Sequence, residues 1–306
     1  MNQWALAVVA GLLATVAQAA PLRVCATTPD LGALAAEIGG DDIVLTVFAK
    51  PAEDPHFLDA KPGFIRALHD ADLYVETGME LEVGWAPVLL QGARNPRILP
   101  GQPGHLDASR AITPLEVPTG EVDRSHGDVH PGGNPHYLLA PGNGLAVADL
   151  LTERLCELRP DRAEAFRQRH ASFRERLSGA RERWNARMAP HRGKTLAVDH
   201  NMWVYLADEF GLRVDVQLEP KPGLPPTTRH LQTVISRMKS DGIRVIAAVP
   251  YSDERHARFV ATHTGAELVR LAHQPGARTG SEGYIGMLEF NITALADAFD
   301  RASPQP

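Results

Sequence analysis

One long apolar stripe limits the architectures open to this chain. Ala163, Phe166, His170, Phe173, Leu177, Trp184 and Met188 recur at spacings of three, four or seven residues. That is the period of a single helical face, and Arg and Glu fill the remaining faces. A helix over 161–188 would run roughly 40 Å at 1.5 Å per residue, long enough to pass from one folded unit to another. Pro160 stands just ahead of it, where proline restarts a helix instead of interrupting one. His170 is expected to pack within the stripe and to bind nothing. The arginines around it read as a solvated face.

Strand and helix patterns alternate on both sides of that helix. Leu22–Ala26, Ile43–Phe48 and Asp72–Glu76 read as strands, with an amphipathic Leu31–Ile38 and a short helix from Pro62 to about His69. Residues 101–135 are rich in Gly, Pro and Asp and read as loops; a helical pattern follows Leu145. Beyond Gly193, strands are expected at Thr195–Val198, Val214–Leu218, Arg244–Val249 and Leu268–Leu271. Helices are expected at 202–210, 228–240, 253–263 and 284–299. The fold class is therefore α/β: two αβ lobes with short parallel-type sheets, joined by one long α-helix. The division falls at 20–159, 160–190 and 191–306.

Residues 4–16 form an apolar run too short to cross a bilayer comfortably. Ala17-Gln18-Ala19 then supplies a small-x-small cleavage signature, so residues 1–19 read as a cleavable signal peptide. The segment ahead of the apolar run carries no Lys or Arg. No Cys stands at the cleavage point, and Cys25 lies too far downstream, so a soluble protein outside the cytoplasm, without a lipid anchor, is expected. The remainder, about 287 residues, suits two domains. Hydrophobic residues at 44%, charged residues at 22% and a formal net charge of −6 argue against disorder and against nucleic acid as a partner. Cys25 falls in a strand and Cys156 in a helix; both read as small buried hydrophobes.

Three of the 13 histidines share a setting. His56 ends Glu53-Asp54-Pro55-His56, His136 lies in Gly133-Asn134-Pro135-His136-Tyr137, and His200 follows Val198-Asp199. Each lies in a turn or just after a strand-like run. In open αβ sheets, ligands collect in the crevice at the carboxyl ends of strands. His56 and His136 would come from the first half and His200 from the second, so a metal held by all three would bridge the lobes. Neutral imidazoles in tetrahedral geometry suit Zn²⁺. A zinc hydrolase can also be built on three histidines with an open position. However, the chain has no His-Glu-x-x-His helix, no paired carboxylates near the ligands and no nucleophile motif.

Lesser features carry two readings each. Ser125-His126-Gly127-Asp128-Val129-His130 is either an accessory metal-gathering loop, through His126, Asp128 and His130, or a solvated surface loop. Asp54 and Asp199 either orient the histidines that follow them or form turns. Trp203 and Tyr205 are expected to pack the second lobe near the site.

Taken in order, the motifs resemble the zinc and manganese solute-binding proteins of ABC importers. The resemblance rests on Val24-Cys25-Ala26-Thr27-Thr28-Pro29-Asp30-Leu31, Asp54-Pro55-His56 and the run Ala71–Glu82. It continues through Asn134-Pro135-His136-Tyr137, His200-x-x-Trp203-x-Tyr205-Leu206, and Gly283–Leu288 followed by Asn291. It implies a cleft between two lobes, Zn²⁺ as cargo, and His56, His136 and His200 as ligands. Mn²⁺ is the alternative cargo, which the family pairs with a carboxylate at the third position. It further implies a monomer in the periplasm that serves a membrane permease with its ATPase; a metallochaperone is a further candidate partner. A zinc metallochaperone or a metal-dependent adhesin on the same fold is the alternative role. Two departures stand out. Where many relatives carry a fourth, aspartate ligand, this chain reads Val269–Gly276 with no carboxylate, leaving His273, a water or the more distant Glu282. Ala140 also stands before Pro141, where an aspartate is common.

Overall fold

The computed structural model describes residues 20–120 and 127–303. The signal peptide expected over 1–19, and His126, lie outside those residues.

Two parallel sheets of four strands each organise the chain. The first has the order β2 (Ile43–Val47), β1 (Leu22–Ala26), β3 (Leu73–Glu76), β4 (His105–Asp107); the second runs β6 (Arg213–Gln217), β5 (Thr195–Val198), β7 (Val245–Ala248), β8 (Glu267–Arg270). In both, the first strand in sequence lies inside the sheet and the next pairs at the edge, so both sheets reverse direction beside their first strand. That reversal opens a crevice at the carboxyl ends of the strands. The central strands are apolar because both faces are covered: Val24, Ala26, Val75, Leu196 and Val198 are fully buried.

Between the sheets runs α5 (Ala163–Met188), 26 residues, extended by 3₁₀ turns at 160–162 and 189–191. Phe166, Phe173, Leu177, Ala180, Trp184 and Met188 are buried along the expected stripe, each large side chain contributing about 1.5–3 kcal/mol of apolar burial. The helix packs on α1 (Pro29–Gly39) and α4 (Pro141–Leu158) from the first half, and on α9 (Tyr284–Ala302) from the second. His170 joins Asp149 at 2.7 Å.

The arginine-bearing faces differ from expectation. They are not simply solvated but clamp the helix to both halves. Arg162 and Arg169 both pair with the buried Asp42, Arg181 pairs with Glu209, and Arg187 reaches Asp297 and Asp300 at 2.7 and 2.6 Å. Two elements were also missed. β4 lies inside the Gly- and Pro-rich stretch, too short for its alternation to show. The helix α3 (Ala86–Ala93) has a small, nearly all-apolar sequence with no polar face to mark it. Cys25 and Cys156 are free thiols; Cys25 is buried, which pushes its thiol up to about 12, whereas Cys156 is only partly buried, contrary to expectation. Among the described residues, no helix is long and apolar enough to cross a membrane.

Candidate metal centre

Each histidine of interest is presented by a short turn, and in each turn a side chain oxygen captures the histidine's backbone N–H. His56 lies in the loop leaving β2. Asp54 Oδ1 accepts from the His56 backbone N–H at 3.0 Å and lies 2.7 Å from ring Nδ1. The first contact is an Asx-type turn and the second orients the imidazole, so both sequence readings of Asp54 hold together. Nε2 of His56 is left buried without a partner. Burial raises the Asp54 carboxyl, but the hydrogen bond and charge of His56 outweigh it and bring it below the usual carboxylate range.

His200 follows β5. Its backbone N–H donates to Asp199 Oδ1 at 2.8 Å, while Asp199 Oδ2 accepts from the Val249 backbone at 2.9 Å and from the Ser252 hydroxyl. Asp199 thus ties the tips of β5 and β7 and does not touch the His200 ring. Ring Nδ1 instead meets Glu219 Oε2 at 2.9 Å. Burial alone would push the His200 ring down. The Glu219 hydrogen bond and charge outweigh that and hold it above the ordinary histidine value. Glu219 escaped the sequence reading, although it occupies the carboxyl end of β6 as His200 occupies that of β5.

His136 comes from the turn ahead of α4, where its backbone N–H donates to Asn134 Oδ1 at 3.0 Å. Its ring keeps a rim of accessible surface but lies deep among neighbours. Burial, then the charges of His56 and His200, push it well below the ordinary value, so it is neutral at physiological pH. Among the described residues no carboxylate pairs with this ring.

One ring nitrogen from each of His56, His136 and His200 lies within 4.8 Å of the others. The ring centroids are 5.3, 5.7 and 5.5 Å apart. A tetrahedral Zn²⁺ with bonds near 2.0–2.1 Å needs nitrogens roughly 3.3 Å apart. The rings therefore need approach by about 1.5 Å at most, a movement side chains and loops supply. In both oriented rings a carboxylate bonds Nδ1, so Nε2 is the nitrogen left for an ion, the arrangement that fixes a ligand's tautomer.

The other expected residues fall around this cluster. His130 stacks on His56 at 5.3 Å with Nε2 buried and unpartnered; burial, then His56 and His200, push it down to about 4. The Asp128 backbone N–H donates to Pro222 O of the second half at 2.9 Å, so this segment crosses the cleft. His273 lies outside the cluster: its Nε2 is 3.0 Å from Glu53 O. Glu282 is exposed and accepts from the Gly280 backbone. Trp203 and Tyr205 are buried, and the Tyr205 hydroxyl donates to Asn134 O at 2.8 Å. Tyr251, at the end of β7, packs edge-on against His200 and His273, and its buried hydroxyl has no partner. A cavity of about 280 Å³ lies over the cluster, lined by Asp128, His130, His136 and His200. The larger cavity of about 810 Å³ lies beside α3, walled by Val83, Ala86, Leu90 and Leu99, and gathers no comparable set of free nitrogens.

The fold is two α/β halves joined by one long helix, with the histidine cluster between them. The sequence profile described as "ZnuA: Zinc-uptake complex component A periplasmic" matches residues 24–298, and the chain belongs to that family. The family comprises extracytoplasmic metal-binding components of ABC importers, which work with a permease and an ATPase; they are not enzymes. Among relatives, the high-affinity zinc uptake system protein ZnuA of Paracoccus denitrificans is 24% identical over 328 residues, covering 95% of this chain and 96% of its own. The iron-binding protein YfeA of Yersinia pestis is 24% identical over 276 residues, covering 87% and 82%. A zinc-bound ZnuA deletion mutant of known structure shares the fold, with a TM-score of 0.77 at 23% identity over 94% of this chain and all of that one.

Proposed function

We propose that the protein captures one Zn²⁺ between its lobes through His56, His136 and His200, with water completing the tetrahedron, and hands it to a membrane permease. In this reading it acts as a periplasmic monomer after loss of residues 1–19, without a lipid anchor. The observation that carries the proposal is the convergence of three ring nitrogens from both halves of the chain. The choice of Zn²⁺ rests on donor chemistry. All three donors are imidazoles, which suit Zn²⁺, whereas Mn²⁺ favours carboxylate oxygen. Of the nearby carboxylates, Asp54 and Glu219 are engaged behind the rings, while Asp128 lines the cavity over the cluster. His130, stacked on His56, lies beside the three ligands and would act as an accessory group in this reading.

YfeA's name makes the identity of the ion the point to test. Competition titration should give one Zn²⁺ per chain and rank Zn²⁺ well above Mn²⁺ and Fe²⁺, with His200→Ala weakening binding while the fold persists. The reverse ranking, or unchanged affinity in His200→Ala, would discard the assignment.

A further inference from the structure

Both loops that present first-half histidines are gripped by the second half. The His136 turn is held by Tyr205, through Asn134 O, and by the Asn201 carbonyl, which accepts from Asn134 Nδ2 at 2.7 Å. The His56 loop is held from the opposite side of the cleft by the segment after β8. His273 Nε2–H donates to Glu53 O at 3.0 Å, 220 residues away in sequence. The next residue, Gln274, makes two bonds to Asp30 in the first turn of α1. Its Oε1 accepts from the Asp30 backbone at 2.9 Å, and its Nε2 donates to Asp30 Oδ2 at 3.1 Å. Gly276 follows, close against Pro51 of the same ligand loop. His273, Gln274 and Asp30 are all buried, so these bonds form out of water's competition.

We propose that His273 and Gln274 form an interlobe clasp, in which His273 is a positioning residue that sets the Glu53–His56 loop and acts on the cargo only through it. Pulling the lobes apart at this edge would break the bonds of Glu53 O, of the Asp30 backbone N–H and Oδ2, and of the Gln274 amide, while Asp30 Oδ1 keeps Thr28 and Leu31. The clasp therefore slows withdrawal of His56 from a bound ion. This rests on the metal-capture reading above. Nδ1 of His273 is also buried and unpartnered, so direct ligation is the competing outcome.

Three variants of the full chain separate these outcomes: His273→Ala, His273→Gln, whose amide can still donate toward Glu53 O, and Gln274→Glu, which sets a carboxylate against Asp30. Two readouts are taken, Zn²⁺ release to a chelator in stopped flow and the visible absorption of the Co²⁺ form. The clasp predicts that His273→Ala and Gln274→Glu release Zn²⁺ about five- to twenty-fold faster, that His273→Gln restores most of the wild-type rate, and that all three keep the wild-type Co²⁺ band shape. A changed Co²⁺ spectrum in His273→Ala would make His273 a ligand and overturn the clasp; so would an unaltered release rate in both His273→Ala and Gln274→Glu. Hydrogen exchange of the apo protein supplies a metal-free readout. Loss of amide protection over residues 51–57 in His273→Ala supports the clasp, and unchanged protection contradicts it. A wild-type chain that takes up neither ion would refute the capture reading, while the exchange measurement would still decide the clasp.

Discussion

Asp54 and Glu219 reach the cluster from opposite halves and do the same thing there: each bonds Nδ1 of an imidazole and so leaves Nε2 for an ion. Glu219 also accepts from the Gly223 backbone at 2.9 Å, so its own position is fixed. A group that orients a ligand in this way commonly changes metal affinity by about 10–100-fold when altered. Glu219→Gln keeps the shape but loses the charge behind His200, and it should weaken Zn²⁺ by about tenfold in a competition titration with the fold intact. Equal affinity would show that the carboxylate is not felt at the ion. At this scale the sequence was partly legible. Asp54 could be read because it stands two residues from His56 and makes a local turn. Glu219 could not, because its partner is 19 residues away and meets it only when β5 and β6 pair.

Turns at the strand tips hold the site as much as the strands do. After β3 the backbone passes through three successive left-handed residues, Gly78, Met79 and Glu80, with φ of 78°, 53° and 63°. Glycine accepts that conformation freely, while Met and Glu do so at a cost of order 1–3 kcal/mol each. Glu82 offsets it: its carboxylate accepts from the Thr27 hydroxyl and the Thr77 backbone, both at 2.7 Å, and from the Gly78 backbone at 3.2 Å. Burial, then the charge of Glu76, pushes the Glu82 carboxyl up to about 7. The folded chain thus holds this proton more tightly than the unfolded chain. The associated stability is fully present below the ordinary glutamate value and is lost as pH rises through about 7. Denaturation of the apo protein should show a decline between pH 5 and pH 8 worth roughly 3 kcal/mol, and Glu82→Gln should flatten it. A wild-type profile in that variant would remove Glu82 as the cause. Elements with strong periodicity were readable: α5, α7 (Thr228–Ser240) and the apolar strands fall within a few residues of their expected limits. β4 and the left-handed run were not, since three-residue strands and backbone angles leave no periodic trace.

Across the whole molecule, α5 joins two sheets of the same topology, and the histidine cluster draws on loops from both halves. That arrangement could be anticipated from one long stripe between two alternating halves, and the convergence of the three histidines from their turns, two after strands and one ahead of α4. The bonds that set the spacing between lobes were invisible in the sequence, because His273 with Glu53, Gln274 with Asp30 and Tyr205 with Asn134 are long-range pairs. They draw the three rings to within a small movement of sharing one ion. X-ray absorption at the zinc edge of the one-to-one complex tests that claim most directly. The account predicts four nitrogen or oxygen neighbours near 2.0 Å with the multiple scattering of three imidazoles, two of which vanish in a His56→Ala, His200→Ala double variant. A wild-type spectrum with one imidazole or none, or one the double variant leaves unchanged, would contradict it.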